Sequence, residues 1–230
     1  MTHHVFRPSA RPAIAVEGDE RTFPVRRIWC VGRNYADHAR EMGADPEREA
    51  PFFFAKPGDS IVSQGGEISF PLMTGNLEHE VELAVAIGQP GFDLSREGAL
   101  SLVFGYAVAL DMTRRDLQAE AKKKARPWDL AKGFDESCPI GPITRAEGMR
   151  LPDDAELSLE INGAVRQRAW LGDMIWPVQD CIAHLSRYVI LEPGDLVLTG
   201  TPAGVGAVRP GDTLKAGCSG LQPLELRYVH

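Results

Sequence analysis

Glu78, Glu80 and Glu82 alternate with His79, Val81 and Leu83 in a stretch, Leu77 to Gly88, whose alternation is that of a β-strand, so residues two apart share a face. One face carries the three carboxylates and then Ala84 and Ala86, whereas the other, with Val81, Leu83, Val85 and Ile87, is core. A solvated sheet face ordinarily carries longer polar side chains and threonines. Carboxylates this close repel one another and are stable only in water, beside Arg or Lys, or around a cation. A second stretch, Phe104 to Asp111, puts Asp111 on a face with Ala109, Ala107 and Gly105, again small residues carrying one acid. If the two strands pack together, the small residues leave room for Glu80, Glu82 and Asp111 to converge. Such a set, with oxygen donors and no Cys or His, selects a hard cation, Mg²⁺ first, with Mn²⁺ or Ca²⁺ as alternatives.

His38 and Glu41 form a second pair with chemical potential. They sit three apart on an expected helix from Tyr35 to Met42, capped by Asn34 and stopped by Gly43, and are neighbours on one face. Such a pair is either a surface ion pair or a base with its orienting carboxylate. The polar segment Gly43 to Pro51, which contains Pro46 and has no periodicity, is a candidate lid following it.

The elements that must position these groups follow in order. Residues 1–27 read as a lead-in hairpin, and 28–230 as a single domain of mixed, β-rich α+β type. Strands are expected at Ile28–Val31 and Phe52–Lys56, and a Ser95-capped helix over Arg96 to Leu102. Thr113 with Asp116 suggests a capping box opening a helix on which Arg115, Gln118 and Lys122 share one side. Pro127 to Phe134 reads as a loop or short strand whose Lys132 would ordinarily reach solvent. Asn162-Gly163 suits a type I′ hairpin turn, Pro177 the start of an amphipathic helix, and the C-terminal part is mostly strand. Gly200 to Gly206 lacks the Lys-Ser/Thr ending of a phosphate loop, which excludes a nucleotide site there but allows a backbone-lined substrate loop.

Composition narrows the class. A chain of 230 residues with 43% hydrophobic and 25% charged residues can bury one sizeable core. No apolar run approaches the ~18 residues that a membrane helix needs, and the N-terminus lacks a secretion pattern, so a cytoplasmic protein without membrane partners is expected. The four cysteines form no C-x-x-C pair and are expected as buried thiols. A net charge of −7 argues against nucleic acid as a partner, despite the basic run from Arg114 to Arg126.

In this order, Gly32-Arg33-Asn34-Tyr35 with His38 and Glu41, Glu80-x-Glu82, Leu110 to Asp116, Lys132-Gly133-Phe134 and Leu198 to Pro202 resemble the fumarylacetoacetate hydrolase family. Within it, Phe23 to Arg27 and Pro51 to Pro57 look most like the short acylpyruvate hydrolases, especially bacterial fumarylpyruvate hydrolases. The resemblance implies a mixed β-sandwich roll with peripheral helices and a homodimer. It also implies Glu80, Glu82 and Asp111 as metal ligands and His38 with Glu41 as catalytic dyad. Arg115, Gln118, Lys132 and Thr201 match positions that hold substrate, and Arg33 and Lys56 match less closely. Glu78 matches no ligand.

The chemistry that follows is metal-dependent cleavage of a carbon–carbon bond in an acylpyruvate. A metal gripping the 2-oxo acid stabilises the pyruvate enolate, His38 activates water, Glu41 orients it, and Lys132 offsets charge on the leaving group. Fumarylpyruvate, giving fumarate and pyruvate, is the expected substrate. Its second carboxylate wants a cation, for which Arg33, Lys56 and Arg126 are candidates. Oxaloacetate decarboxylation and dienoate isomerisation use the same enolate logic, and a non-catalytic metal-stabilised module would use the acids for folding alone.

Overall fold

The structure, a computed structural model, describes residues 4–41, 50–147 and 150–230, and of Ala39 the backbone alone. Strand Val81–Ile87 is buried along its whole length inside an eight-stranded mixed sheet. Its antiparallel neighbour Val103–Leu110 sets Val81 opposite Leu110 and Glu82 opposite Ala109. On its other side Asp195–Leu198 sets Leu198 opposite Ala84, and strands Arg27–Gly32 and Phe52–Lys56 continue the sheet.

Both faces of this sheet are covered, which is why the strand is apolar on both sides beyond its acids. Val81, Leu83, Val85, Ile87 and Val108 pack against a five-stranded sheet through Leu157, Leu159 and Leu226, and against helix Val178–Ser186 through Ile182 and Leu185. The alanine face, Ala84, Ala86, Ala107 and Ala109, is closed by the hairpin Ala13–Val16 and Asp19–Pro24 through Ile14, Val16 and Phe23. The fold is the expected β-rich, mixed-sheet architecture with short helices at its periphery. Among the described residues no helix is long and apolar enough to cross a membrane.

The acidic stretch is not one continuous strand. Leu77–His79 belongs to a three-stranded sheet between Thr113–Arg114 and Gly206–Val208, and Glu80 lies at the break. The register is the same on both sides, with Glu78 opposite Thr113 and Val81 opposite Leu110. Between them the ladder opens because the Met112 N–H turns away to donate to the Ser137 carbonyl at 3.0 Å. Alternation reveals strand conformation but not where a neighbour's hydrogen bonds go.

Two expected caps also fail. Among the described residues the side chain of Asn34 bonds away from helix Ala36–Glu41; it donates to the carbonyls of Trp176 and Thr199, both at 2.8 Å, and accepts from Trp176 N at 2.7 Å. Asp116 does not complete a capping box at helix Arg115–Lys123, because its carboxylate takes the Thr74 hydroxyl and the Gly75 N–H instead. In both cases a distant partner outcompetes the local one. The Ser95 cap on Gly98 N and the Asn162-Gly163 turn, with φ of 53° and 79°, form as expected.

One glycine is fixed by both space and conformation. Gly200 has φ 91°, and a Cβ there would lie 2.7 Å from the Asn34 Cβ. Gly200→Ala should therefore lower stability by about 1–3 kcal/mol, read as a fall in the urea midpoint, whereas an unchanged midpoint would show that the loop relaxes freely.

Candidate metal and catalytic site

The opening of the ladder is where the acids meet. Asp111 N donates to the Glu80 carbonyl at 2.8 Å, so these two residues sit opposite each other, and Glu82 stands diagonal to Asp111 on the same face. One carboxylate oxygen from each of Glu80, Glu82 and Asp111 lies within 4.8 Å of the others, and all three residues are buried.

Three protein cations close in on two of the acids. Lys132 Nζ donates to Glu80 Oε2 at 2.7 Å and Asp111 Oδ2 at 2.6 Å. Arg115 spans Glu78 and Glu80 and also donates to Gln118 Oε1 at 2.7 Å. Lys56 Nζ lies 2.9 Å from Asp111 Oδ1. Burial would raise the Glu80 carboxyl, but Lys132 and Arg115 outweigh it and hold Glu80 well below the usual range. Burial likewise opposes the Lys132 charge, and Asp111 and Glu80 more than restore it, keeping the ammonium protonated.

Glu82 differs. Its Oε2 accepts from Gly200 N at 2.6 Å, but burial and the adjacent Asp111 and Glu80 push its carboxyl well above its ordinary value. A buried carboxylate raised by like charge, in an all-oxygen set, fits a hard divalent cation held by Glu80, Glu82 and Asp111.

These acids floor a cleft, open to solvent, that is also lined by Arg33, His38, Arg115, Gln118, Lys132 and Thr201. His38 is buried on helix Ala36–Glu41, with Nδ1 at 3.6 Å from Glu41 Oε2, an ion-pair distance rather than a hydrogen bond. Burial lowers its pKa, so the neutral imidazole is favoured. The Glu41 carboxylate, half exposed, also faces Gly204 N at 3.3 Å. The Thr201 hydroxyl donates to the Val81 carbonyl and accepts from Gln167, both at 2.8 Å. Of the expected lid, residues 43–49 lie outside the described residues.

Lys56 departs from its expected role in substrate binding. It is 1% exposed, does not line the cleft, and donates to Ser137 Oγ and to the carbonyls of Met112 and Lys132 as well as facing Asp111. It is a clamp behind Asp111. Lys132 also differs from the solvated loop residue its stretch suggests: it closes a short helix, Asp129–Lys132, and is 3% exposed. Glu78 is no spectator, since it anchors Arg115. Lys122, Phe52, Phe54 and Trp128 line the cleft without having been singled out; for Lys122 the available signal was its place on the Arg115 and Gln118 side of the helix.

The chain is a member of a known enzyme family: residues 27–229 match fumarylacetoacetate (FAA) hydrolase, C-terminal, and the protein belongs to that family. Its structure is similar to that of fumarylpyruvate hydrolase from Pseudomonas aeruginosa, solved in complex with Mn²⁺ and pyruvate. The two share 49% identity over 99% of both chains, with a TM-score of 0.96. The mitochondrial oxaloacetate decarboxylase of Dictyostelium discoideum is 44% identical over 197 residues, 85% of this chain and 90% of that protein. The mitochondrial oxaloacetate tautomerase FAHD1 of Rattus norvegicus is 41% identical over 213 residues, 90% and 96% of the respective chains.

Removing Lys56 leaves Asp111 Oδ1 and two carbonyls without their cation, so Lys56→Met should cost roughly 3–5 kcal/mol of stability; a loss below about 1 kcal/mol in urea unfolding would refute the clamp. A divalent metal held by Glu82 would have to compete with the proton that its raised carboxyl favours. A carboxyl raised in the folded state makes the metal-free fold lose stability as pH rises from the unfolded value toward the raised one. A divalent ion held through Glu82 would displace that proton, so affinity should weaken as pH falls. The gain in Tm on adding Mn²⁺ should be larger at about pH 8 than at about pH 6; equal gains would place Glu82 outside the metal site.

Proposed function

We propose that this protein hydrolyses the carbon–carbon bond of acylpyruvates in a metal-dependent reaction, with fumarylpyruvate as the favoured substrate. The observation that carries the reading is His38, a buried imidazole held neutral by its surroundings, facing the cleft that the three acids floor. A decarboxylase needs no activated water, so a poised base beside the acids supports hydrolysis. The likeness to a fumarylpyruvate hydrolase solved with Mn²⁺ and pyruvate supports the same substrate class and an ion of the Mn²⁺ or Mg²⁺ type.

Glu80, Glu82 and Asp111 would hold the metal, which supplies Lewis-acid polarisation and a template for the 2-oxo acid when bound. The protein's own groups do the rest. With Nδ1 turned toward Glu41, His38 Nε2 is the nitrogen left to take a proton from water. Glu41 orients the ring and stabilises the imidazolium. The hydroxide adds to the distal carbonyl carbon, the carbon–carbon bond breaks, and its electron pair passes to the pyruvate enolate. Lys132 offsets the developing charge, because its ammonium stays protonated between Glu80 and Asp111. The His38 proton then completes pyruvate at carbon, leaving fumarate as the other product.

Oxaloacetate decarboxylation or tautomerisation is the second reading, favoured by the names of two relatives at 44% and 41% identity. The two readings separate at His38. In a turnover panel of fumarylpyruvate, acetylpyruvate and oxaloacetate with Mg²⁺ or Mn²⁺, hydrolysis should disappear with chelator. It should fall about 10²-fold or more in His38→Ala, while any oxaloacetate turnover survives the substitution. Acylpyruvates left intact by the wild type would end the hydrolase reading.

A further inference from the structure

Strand Ala164–Trp170 forms one edge of the five-stranded sheet, and along its seven residues Gln167 alone is buried, at 1% exposed. A long amide turned inward from an edge strand must be answered by polar groups. The strand bends to deliver it: Leu159 pairs with Gln167 and Glu160 with Val165, so Arg166 bulges out of the ladder. The bulge also sets the Arg166 carbonyl against the 199–204 loop, where a Cβ on Gly204 would run into that oxygen.

Every hydrogen-bonding position of the Gln167 amide is used. Its Oε1 accepts from Val81 N at 3.1 Å and lies 2.8 Å from His79 Nδ1, while Nε2 donates to the Pro202 carbonyl at 2.9 Å and to Thr201 Oγ1 at 2.8 Å. Two backbone partners of opposite kind fix which way the amide faces, since a flipped amide would set N–H against N–H and carbonyl against carbonyl. Oε1 cannot donate, so His79 Nδ1 carries the hydrogen between them. The same network finishes the main sheet. The register of Asp195–Leu198 against the acidic strand ends at Ala84; further along, the Val81 N–H goes to Gln167 and the Val81 carbonyl to the Thr201 hydroxyl at 2.8 Å. Buried main-chain groups need such partners. Val81 stands between Glu80 and Glu82, and Thr201 lines the cleft that they floor, whereas Gln167 itself does not.

From this arrangement we infer that Gln167 is a positioning residue: reaching in from the second sheet, it locks Thr201 and Pro202 to the acid-bearing strand and so sets the wall against which a 2-oxo acid seats. His79 holds the amide in place from the far side of the same strand. The role deepens the acylpyruvate reading and rests on it for the ligand.

Two calorimetric titrations test it, pyruvate into the Mn²⁺-loaded protein and Mn²⁺ into the metal-free protein. Gln167→Met should weaken pyruvate by about tenfold while Mn²⁺ affinity stays within about twofold. Thr201→Val should weaken pyruvate to a similar extent, and the double variant should fall within about twofold of the worse single one, because both break one link. His79→Leu should weaken pyruvate by about threefold, and His79→Asn, which keeps a donor near the place of Nδ1, should restore it. Leu159→Ala takes core packing from the strand paired with Gln167 and none of the amide's bonds, so it should lower Tm and leave both titrations unchanged. Unchanged pyruvate binding in Gln167→Met, fully additive losses in the double variant, Mn²⁺ affinity falling in step, or equal weakening in Leu159→Ala would each overturn the role. Should Gln167→Met fail to fold, the His79 pair decides, and a loss that Asn does not restore overturns it. A wild type that binds pyruvate but leaves fumarylpyruvate intact would end the hydrolase reading and leave Gln167 its role; one that binds no pyruvate would overturn the role whatever the turnover panel shows.

Discussion

Like charge at close range in a dry place is the constraint that organises this molecule. Glu80, Glu82 and Asp111 are brought within 4.8 Å by the register of two antiparallel strands, and burial denies them the water that would otherwise screen them. Much of the surrounding polar structure answers that repulsion. Lys132 bridges Glu80 and Asp111, Lys56 backs Asp111, and Arg115 is shared by Glu80 and Glu78. Among the described residues Glu82 receives a backbone N–H and no side-chain cation, so the remaining demand for positive charge is concentrated on one side of the cluster.

The same sheet explains why the cluster can exist at all. Its alanine face admits a close cover by the N-terminal hairpin, and where the alanines end the ladder opens at Glu80 and Met112. Ser137 serves both consequences: its carbonyl takes the Met112 N–H, and its hydroxyl accepts from Lys56. Breaking the ladder and holding the counter-cation are thus done by one turn.

The dyad and the acids are also mechanically joined. Asn34 ties the approach to the His38 helix to Thr199 and Trp176, Gly200 donates to Glu82, Thr201 bonds to Val81, and Gly204 faces Glu41. The 199–204 loop therefore touches Glu41, the neighbour of His38, at one end and Glu82 of the acid cluster at the other. One short segment thus joins the His38 helix to the acids, and its glycine with positive φ at 200 lets it pass close to Asn34.

Alternation put Glu80 and Glu82 on one face and Asp111 on another small-residue face, helical spacing joined His38 to Glu41, and ordered motifs identified the family, because periodicity and local spacing are written in the chain itself. Partner choice was not. Asn34 and Asp116 satisfy the rule for a local cap and yet bond across the fold, and Lys56 and Lys132, both lysines at the ends of apolar runs, differ in task only because of what packs around them. The sequence by itself determined which residue types could bind a cation, move a proton and form the strands. Tertiary structure decided which cation meets which acid, because electrostatic and hydrogen-bond partners are chosen by distance in space, and burial fixes how much each choice is worth.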